Sequence, residues 1–438
     1  WIGSKMPGKI GGLVNKAFGN HCYAHNMSMY IGMDYQRNSL KASILEPECN
    51  IQLENRLNTM KSDKNGKSML MLASVASMID QFNMNNIEIL LSLGYKVAVA
   101  CNFKVGNTCS DKRIRELKEE LKELGVKFYQ IDFDRNVMNL QQNMEAYKQV
   151  EKLVKLQRYD FIHCHSPIGG VIGRIVAHET KTKVIYTAHG FHFYDGAPKK
   201  NWLLYYSIEK ALSRWTDILI TINKEDYDIA CKKLCARRTI YVPGIGIDIK
   251  RFKNIPTHKM IKRAELGIDD RDFVILSVGE LNDNKNHKVI IEALNRMNES
   301  DKCVYVIAGE GINKELLERQ AEASNVNLRL LGYREDIPEL LKLSDVFVLP
   351  SLREGLNVSL MEAMAAGLPC IAGQIRGNVD LLPEEYCIEP TSVEKWVERL
   401  RAVMMCDRHQ AGAKNEQKIV DFSVDKVNEK MKHIYKHI

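Results

Sequence analysis

Two glutamates, Glu354 and Glu362, bracket the start of a run of good helix formers that opens near Asn357 and closes at Gly367. The apolar stretch Val346–Leu349 ahead of them ends at Pro350-Ser351, so the pattern reads strand, loop, helix. A loop running into a helix N-terminus offers free backbone N–H groups and the positive end of the helix dipole, a setting suited to a diphosphate. Arg353, Gly355, Leu356, Asn357 and Val358 belong to that loop and first turn. Glu354 falls in the loop and Glu362 on the second turn, so both can border one cleft. A carboxylate accepts hydrogen bonds well from sugar and ribose hydroxyls. On spacing alone, the same two residues also suit solvated helix charges.

Three further loops carry chemistry. Gly279-Glu280-Leu281-Asn282-Asp283-Asn284-Lys285-Asn286-His287 follows the strand-like Phe273–Val278, and a glycine-bearing loop with a lysine suits phosphate. Tyr186-Thr187-Ala188-His189-Gly190-Phe191-His192 ends another strand and places His189 toward a cleft. Gly373-Gln374-Ile375-Arg376-Gly377-Asn378 follows Cys370–Ala372. Each alone also reads as an ordinary strand-to-helix connection.

The elements that must position these loops alternate. Strands are expected at 68–75, 95–101, 126–131, 160–165, 183–189, 217–222 and 238–242. Helices are expected at 81–93, 111–124, 140–156, 171–178, 202–215 and 224–234. Pro243-Gly244-Ile245-Gly246 breaks the rhythm and reads as a linker. A second set follows, with strands at 273–278, 304–308, 327–331, 346–349 and 370–372, and a long helix-like tract at 410–437. Alternating strands and helices predict parallel sheets built from right-handed βαβ units. The expected domains are 67–243 and 244–409, with a C-terminal helix over 410–438 packing back toward the first. Ligand loops would then share the carboxyl edges of two sheets facing a cleft.

Residues 1–66 stand outside this scheme: they begin with Trp1 and lack a sustained period. Residues 1–59 are expected to be loosely attached or an artefact of the reading frame, with Met60 a sensible start; a true accessory segment is the other reading. A chain of 438 residues exceeds what one core usually serves. No apolar run reaches membrane-span length and no secretory signal is evident, so a cytoplasmic protein is expected. The eleven cysteines are scattered singly and read as free thiols. The net charge of +7 is uneven: residues 67–243 hold 26 Lys/Arg against 19 Asp/Glu, whereas 244–438 hold 28 against 31. A basic first half suits an anionic partner, either nucleic acid or a phospholipid surface with a phosphate-bearing acceptor. Nucleic acid lacks a supporting motif.

Taken together, the Glu354/Glu362 pair, the loop Gly279–His287, Thr187–Phe193, His163-Cys164-His165-Ser166-Pro167 and Pro243–Asp248 resemble family 4 glycosyltransferases of the GT-B fold, especially those that build bacterial capsule and exopolysaccharide. The resemblance covers about residues 67–438. It implies an α/β fold of two Rossmann-like domains around a cleft. By that resemblance Glu362 holds the nucleotide ribose, Glu354 contacts the donor sugar, Lys285 neutralises the diphosphate and His189 lies near the transferred bond. Gly279 belongs to the phosphate loop, and the loop with Tyr333 and Arg334 flanks the base. The resemblance further implies a UDP-sugar donor, retention of anomeric configuration, no required metal, and a lipid-diphosphate-linked saccharide acceptor at the cytoplasmic membrane surface. A UDP-sugar epimerase of the same fold and a weakly catalytic binding scaffold are the alternatives. Many relatives have Arg where this chain has Glu280, which leaves Lys285, the helix dipole and Arg353 or Arg376 to hold the phosphate.

Other signals have plainer readings. Asp132-Phe133-Asp134 spells DxD but reads as a loop or cap, and His163 with His165 lacks a third metal ligand. The lysine- and aromatic-rich 197–206 and the cluster Lys232, Lys233, Arg237, Arg238 suit either a bilayer surface or solvated helices.

Overall fold

The computed structural model describes residues 66–253, 255, 258–297 and 303–438; the expectation for residues 1–65 lies outside the described residues. The first sheet has seven strands: β1 (Ser68–Val75), β2 (Lys96–Asn102), β3 (Lys127–Gln130), β4 (Phe161–His165), β5 (Lys183–Ala188), β6 (Ile218–Thr221) and β7 (Arg238–Tyr241). Their order is β3-β2-β1-β4-β5-β6-β7. The second has six: β8 (Phe273–Val278), β9 (Cys303–Ala308), β10 (Leu328–Leu330), β11 (Val346–Leu349), β12 (Cys370–Gly373) and β13 (Cys387–Ile388), ordered β10-β9-β8-β11-β12-β13. Every pairing between these strands is parallel. Strands such as β1 and β9 are buried along nearly their whole length, which explains their continuous rather than alternating apolar sequence. In both sheets the order reverses beside the first strand, between β1 and β4 and between β8 and β11. Ligands of such sheets bind at that point, beyond the carboxyl ends.

The helices that position the site are α1 (Ala76–Phe82), α2 (Met84–Ser92), α3 (Asp111–Glu123), α4 (Leu140–Gln157), α5 (Pro167–Thr180), α6 (Lys224–Lys233), α7 (Lys288–Met297), α8 (Val358–Ala365), α9 (Val393–Met405), α10 (Arg408–Ile419) and α11 (Val424–Lys436). Helix α3 shows the local logic. Ser110 caps it by accepting from the Arg113 amide, and Ile114, Leu117 and Leu121 form its buried stripe.

Several expected elements differ. The helix expected at 81–93 is two helices broken at buried Asn83, whose side-chain amide donates to the Met78 carbonyl at 3.0 Å. The helix expected at 171–178 begins at Pro167, a residue whose fixed φ suits the first turn. The helix expected at 202–215 includes a π-helical stretch, Trp202–Tyr206, and gives way to α-helix only over Ser207–Ser213. The single C-terminal helix is α10 and α11 separated by the 3-10 turn Val420–Phe422.

These last two helices bind different sheets. On α10, Asn415 Nδ2 donates to the Leu368 carbonyl at 2.6 Å, and Gly412 approaches Gly367 so closely that a Cβ would sit 1.9 Å from its carbonyl oxygen. On α11, Val427, Met431, Ile434 and Tyr435 complete the core of the first sheet. The chain therefore crosses twice between sheets, and the crossings are bonded together. The Ile247 amide donates to the Phe422 carbonyl at 2.9 Å, and the Val424 amide to the Ile247 carbonyl at 3.0 Å. Gly246, at φ +76°, passes where a Cβ would meet Val424 Cα at 2.5 Å.

Candidate active site

The loop after β8 and the loop after β11 are joined by an ion pair. Lys285 Nζ lies 2.7 Å from Glu354 Oε1, with both side chains about 15% exposed. Their backbones are fastened too: the Leu352 amide donates to the Asn284 carbonyl at 2.7 Å, and Asn284 Nδ2 to the Arg353 carbonyl at 3.0 Å. Lys285 lies over Gly279, where an added Cβ would meet its Cε at 3.1 Å. A Cβ on Gly309 would stand 1.9 Å from the Gly279 carbonyl oxygen, and one on Gly311 would stand 2.3 Å from that of Leu281. The Gly309-Glu310-Gly311 turn thus supports the loop after β8 from behind, and in the sequence it is legible as a GxG after a strand. Glu280 is exposed and lies outside the Lys285–Glu354 pair.

Helix α8 follows directly. Asn357 caps it, accepting from the Leu360 amide at 3.0 Å and from Ser359 Oγ at 2.7 Å. An α-helix leaves its first amides without intrahelical acceptors, so the first turn from Val358 retains anion-binding capacity beside Lys285. Leu356 packs against Gly244 of the linker. Glu362 is half-buried on α8, and burial pushes its carboxyl up to about 7, opposed by the Arg251 guanidinium. No hydrogen-bond partner for its carboxylate is recorded among the described residues.

The first sheet faces this site with the loop after β5. Gly355 approaches it closely enough that a Cβ would sit 2.3 Å from the His189 carbonyl oxygen. His189 is half-buried, packs edge-on to Phe82 with ring centres 5.4 Å apart, and places Nε2 3.1 Å from His165 Nδ1. Burial lowers its pKa to about 4, so the ring is neutral at pH 7. His189, His165, Thr187, Asp80, Asn83, Gly244 and Asn428 are among the residues lining a cavity of about 110 Å³.

Arg376 has a different office from the one its loop suggested. It reaches across the cleft to Asp226 on α6 at 2.8 Å, donates to the Glu354 carbonyl at 3.1 Å, and lies over the Tyr194 ring. Guanidinium and carboxylate are both buried, so Arg376 is committed to joining the two halves rather than to phosphate. Asn223 caps α6 by accepting from the Asp226 amide and its side-chain amide donates to the Asp226 carboxylate, a local cap legible in sequence; the ion-pair partner 150 residues away was not. A second crossing bond runs from the Lys224 amide to Asp380 at 2.8 Å.

Arg353 is exposed and borders a groove with Tyr194, Glu225 and Gln374. Tyr333 is 74% exposed. Arg334 is bound to Asp336 at 2.5 and 2.7 Å, which holds that carboxyl at about 2. Asp132 accepts from Gln149 and Gln130, as the loop reading of DxD expected. Among the described residues no group of three or more His, Cys, Asp or Glu side chains is arranged to hold a metal, and no helix is long and apolar enough to cross a membrane.

Two parallel α/β sheets enclosing a cleft are the GT-B architecture. The solved structure of Anabaena Alr3699/HepE in complex with UDP and glucose has the same fold, at TM-score 0.68 and 17% identity, covering 85% of this chain and all of that one. Residues 259–419 match the family described as "Glycosyl transferases group 1" and residues 68–223 the one described as "Glycosyl transferase 4-like". The "UDP-Gal:alpha-D-GlcNAc-diphosphoundecaprenol alpha-1,3-galactosyltransferase" of Escherichia coli is 34% identical over 315 residues, 69% of this chain and 81% of the relative. The protein named "Putative glycosyltransferase EpsD" in Bacillus subtilis (strain 168) is 43% identical over 250 residues, covering 55% of this chain and 65%, just under two thirds, of its own length. This chain belongs to the family 4-like glycosyltransferases of the GT-B fold.

Proposed function

We propose that the protein is a retaining glycosyltransferase that moves a hexose or N-acetylhexosamine from a UDP-sugar to a lipid-diphosphate-linked saccharide in cell-surface polysaccharide synthesis. The observation that carries this reading is the Lys285–Glu354 pair, set at the carboxyl edge of the second sheet beside the start of α8. In this reading Lys285 and the first-turn amides of α8 hold the diphosphate, with Gly279, Gly355, Leu356, Asn357 and Val358 shaping the loops around it. Glu362 accepts from the ribose hydroxyls, Glu354 from the sugar, and Tyr333 and Arg334 flank the base. The bond from the anomeric carbon to phosphate breaks as the acceptor oxygen bonds the same face, and the acceptor proton passes to the departing phosphate. Charge stabilisation at that phosphate supplies much of the rate. The UDP in the Alr3699/HepE title and the donor and acceptor in the E. coli relative's name support the substrate classes.

The reading of an anionic membrane surface as a second partner is supported by one face of the first half. Lys199, Lys200 and Leu203 are exposed there, Leu203 by 78%. Lys233 Nζ lies 5.1 Å from the Trp202 ring centre, and Tyr206 donates to the Lys233 carbonyl, so two separate basic segments form one patch.

Calorimetric titration of the full chain with UDP and GDP, with and without magnesium, tests the donor site. Binding of UDP alone, indifferent to metal, is expected. A screen of UDP-sugars with a polyprenyl-diphosphate saccharide, followed by NMR of the product anomer, then tests transfer and retention. Interconversion of a UDP-sugar without acceptor would instead identify an epimerase, and binding of neither nucleotide would end the donor-site reading.

A further inference from the structure

His165, the last residue of β4, is 1% exposed and is the only recorded partner of the His189 ring nitrogens among the described residues. Its Nδ1 bonds His189 Nε2 at 3.1 Å, and its Nε2 is buried without a partner among the described residues. His163 cannot relieve it. That ring tilts against His165 with centres 4.2 Å apart, but its Nδ1 is bonded to the Tyr435 hydroxyl at 2.9 Å and its Nε2 to Thr187 Oγ1 at 2.8 Å.

Burial keeps all three imidazoles neutral at pH 7, with pKa values lowered to about 3 for His163 and about 4 for His189, and well below the ordinary range for His165. A neutral imidazole has one N–H donor and one acceptor nitrogen. The His165–His189 bond therefore has two possible directions. If His189 Nε2–H donates, His165 must carry its proton on the partnerless Nε2. If His165 Nδ1–H donates, the partnerless atom is a bare lone pair. A buried N–H without an acceptor is the rarer and costlier of the two. The second direction leaves the His189 proton on Nδ1.

We propose that His165 is a positioning residue that fixes His189 as the Nδ1–H tautomer, so that His189 meets the cleft as a hydrogen-bond donor to a sugar or phosphate oxygen and not as a base. With Nε2 occupied by His165 and Nδ1 already protonated, no nitrogen of His189 remains to take a proton from the acceptor. Tyr435 and Thr187 hold His163 behind the pair, so α11 reaches the site through two imidazoles. The consequence for turnover rests on the donor-site reading above; the tautomer itself does not.

The test uses the full chain labelled with 15N-histidine, its His189 signals assigned by their loss in His189→Asn. At pH 7.5 the long-range proton–nitrogen spectrum is expected to show the Nδ1–H form. His165→Leu should shift His189 toward Nε2–H and lower turnover roughly 10-fold, with little change in KM for the UDP-sugar. His165→Asn, whose amide reaches the Nδ1 position, should restore the tautomer and most of the turnover. Calorimetry with UDP reports folding and donor binding in each variant, and unchanged affinity is expected. Nε2–H in the wild type, or the same tautomer in His165→Leu as in the wild type, overturns the proposal. A chain that shows the expected tautomers but binds no UDP overturns the donor-site reading and leaves this one standing.

Discussion

Glu362 is half-buried on α8, and desolvation raises its carboxyl to about 7. The empty protein therefore carries it partly protonated at neutral pH. If the carboxylate accepts the ribose hydroxyls, UDP affinity should rise between pH 6 and pH 8, and binding should release a proton, measurable by calorimetry in buffers of different ionisation enthalpy. Glu362→Ala should weaken UDP binding by about 1–3 kcal/mol. Affinity in that variant equal to wild type would take Glu362 out of the site. The Lys285–Glu354 pair sets a second expectation at this scale. Glu354→Ala should cut turnover without reducing UDP affinity, because Lys285 then loses a competitor for the diphosphate. A marked loss of UDP affinity would mean that Glu354 serves the nucleotide and not the sugar.

At the scale of elements, loops of the two halves meet across the cleft. Arg376 bridges Asp226 and the Glu354 carbonyl, and Gly355 closes against His189. Removing one partner of a buried pair strands the other charge. Asp226→Ala should therefore destabilise the chain by about 3–5 kcal/mol, seen as a lower urea midpoint. Replacing both residues with apolar ones should recover much of that loss. If the single and double variants unfold alike, the pair holds nothing together. Because Arg376 also fixes the Glu354 backbone, Asp226→Ala should lower turnover as well.

For the whole molecule, five buried or half-buried histidines share one sign. His163, His165, His189, His192 and His287 all have pKa values lowered by burial, to about 3 for His163 and His287 and about 4 for His189. Their unfolded value is near 6.5. Between that value and the folded ones the unfolded chain binds more protons. The stability they contribute is therefore complete above pH 6.5 and is lost as pH falls toward 4. Glu362 acts oppositely: its contribution is present below about pH 4.5 and is lost as pH rises through 7. Burial also raises the carboxyls of Glu225, Asp226 and Asp380, whose unfolded values lie at about 4. Between pH 5 and pH 7.5 the five histidines pass together through their unfolded value, so the urea midpoint should be lower at pH 5 than at pH 7.5. Equal midpoints would show that the histidines titrate normally in the folded state.

The amino-acid sequence by itself determined the two alternating α/β sets, the linker at Pro243–Gly246 and the loops that carry Lys285, Glu354 and His189. Each of these rests on local periodicity, glycine placement or short-range capping, which neighbouring residues settle. The break at Asn83 and the π turn at Trp202–Tyr206 escaped because a packed tertiary environment overrode helical periodicity. The split of the C-terminal tract into α10 and α11 escaped for a related reason: each half had a different sheet to cover. Only the tertiary structure decided that Arg376 pairs with Asp226, that Arg334 is held by Asp336, and that His165 stands behind His189. The first and third of these contacts join residues far apart in the chain. All three depend on which charged or imidazole groups packing brings within about 3 Å of one another, and no spacing in a linear sequence encodes that.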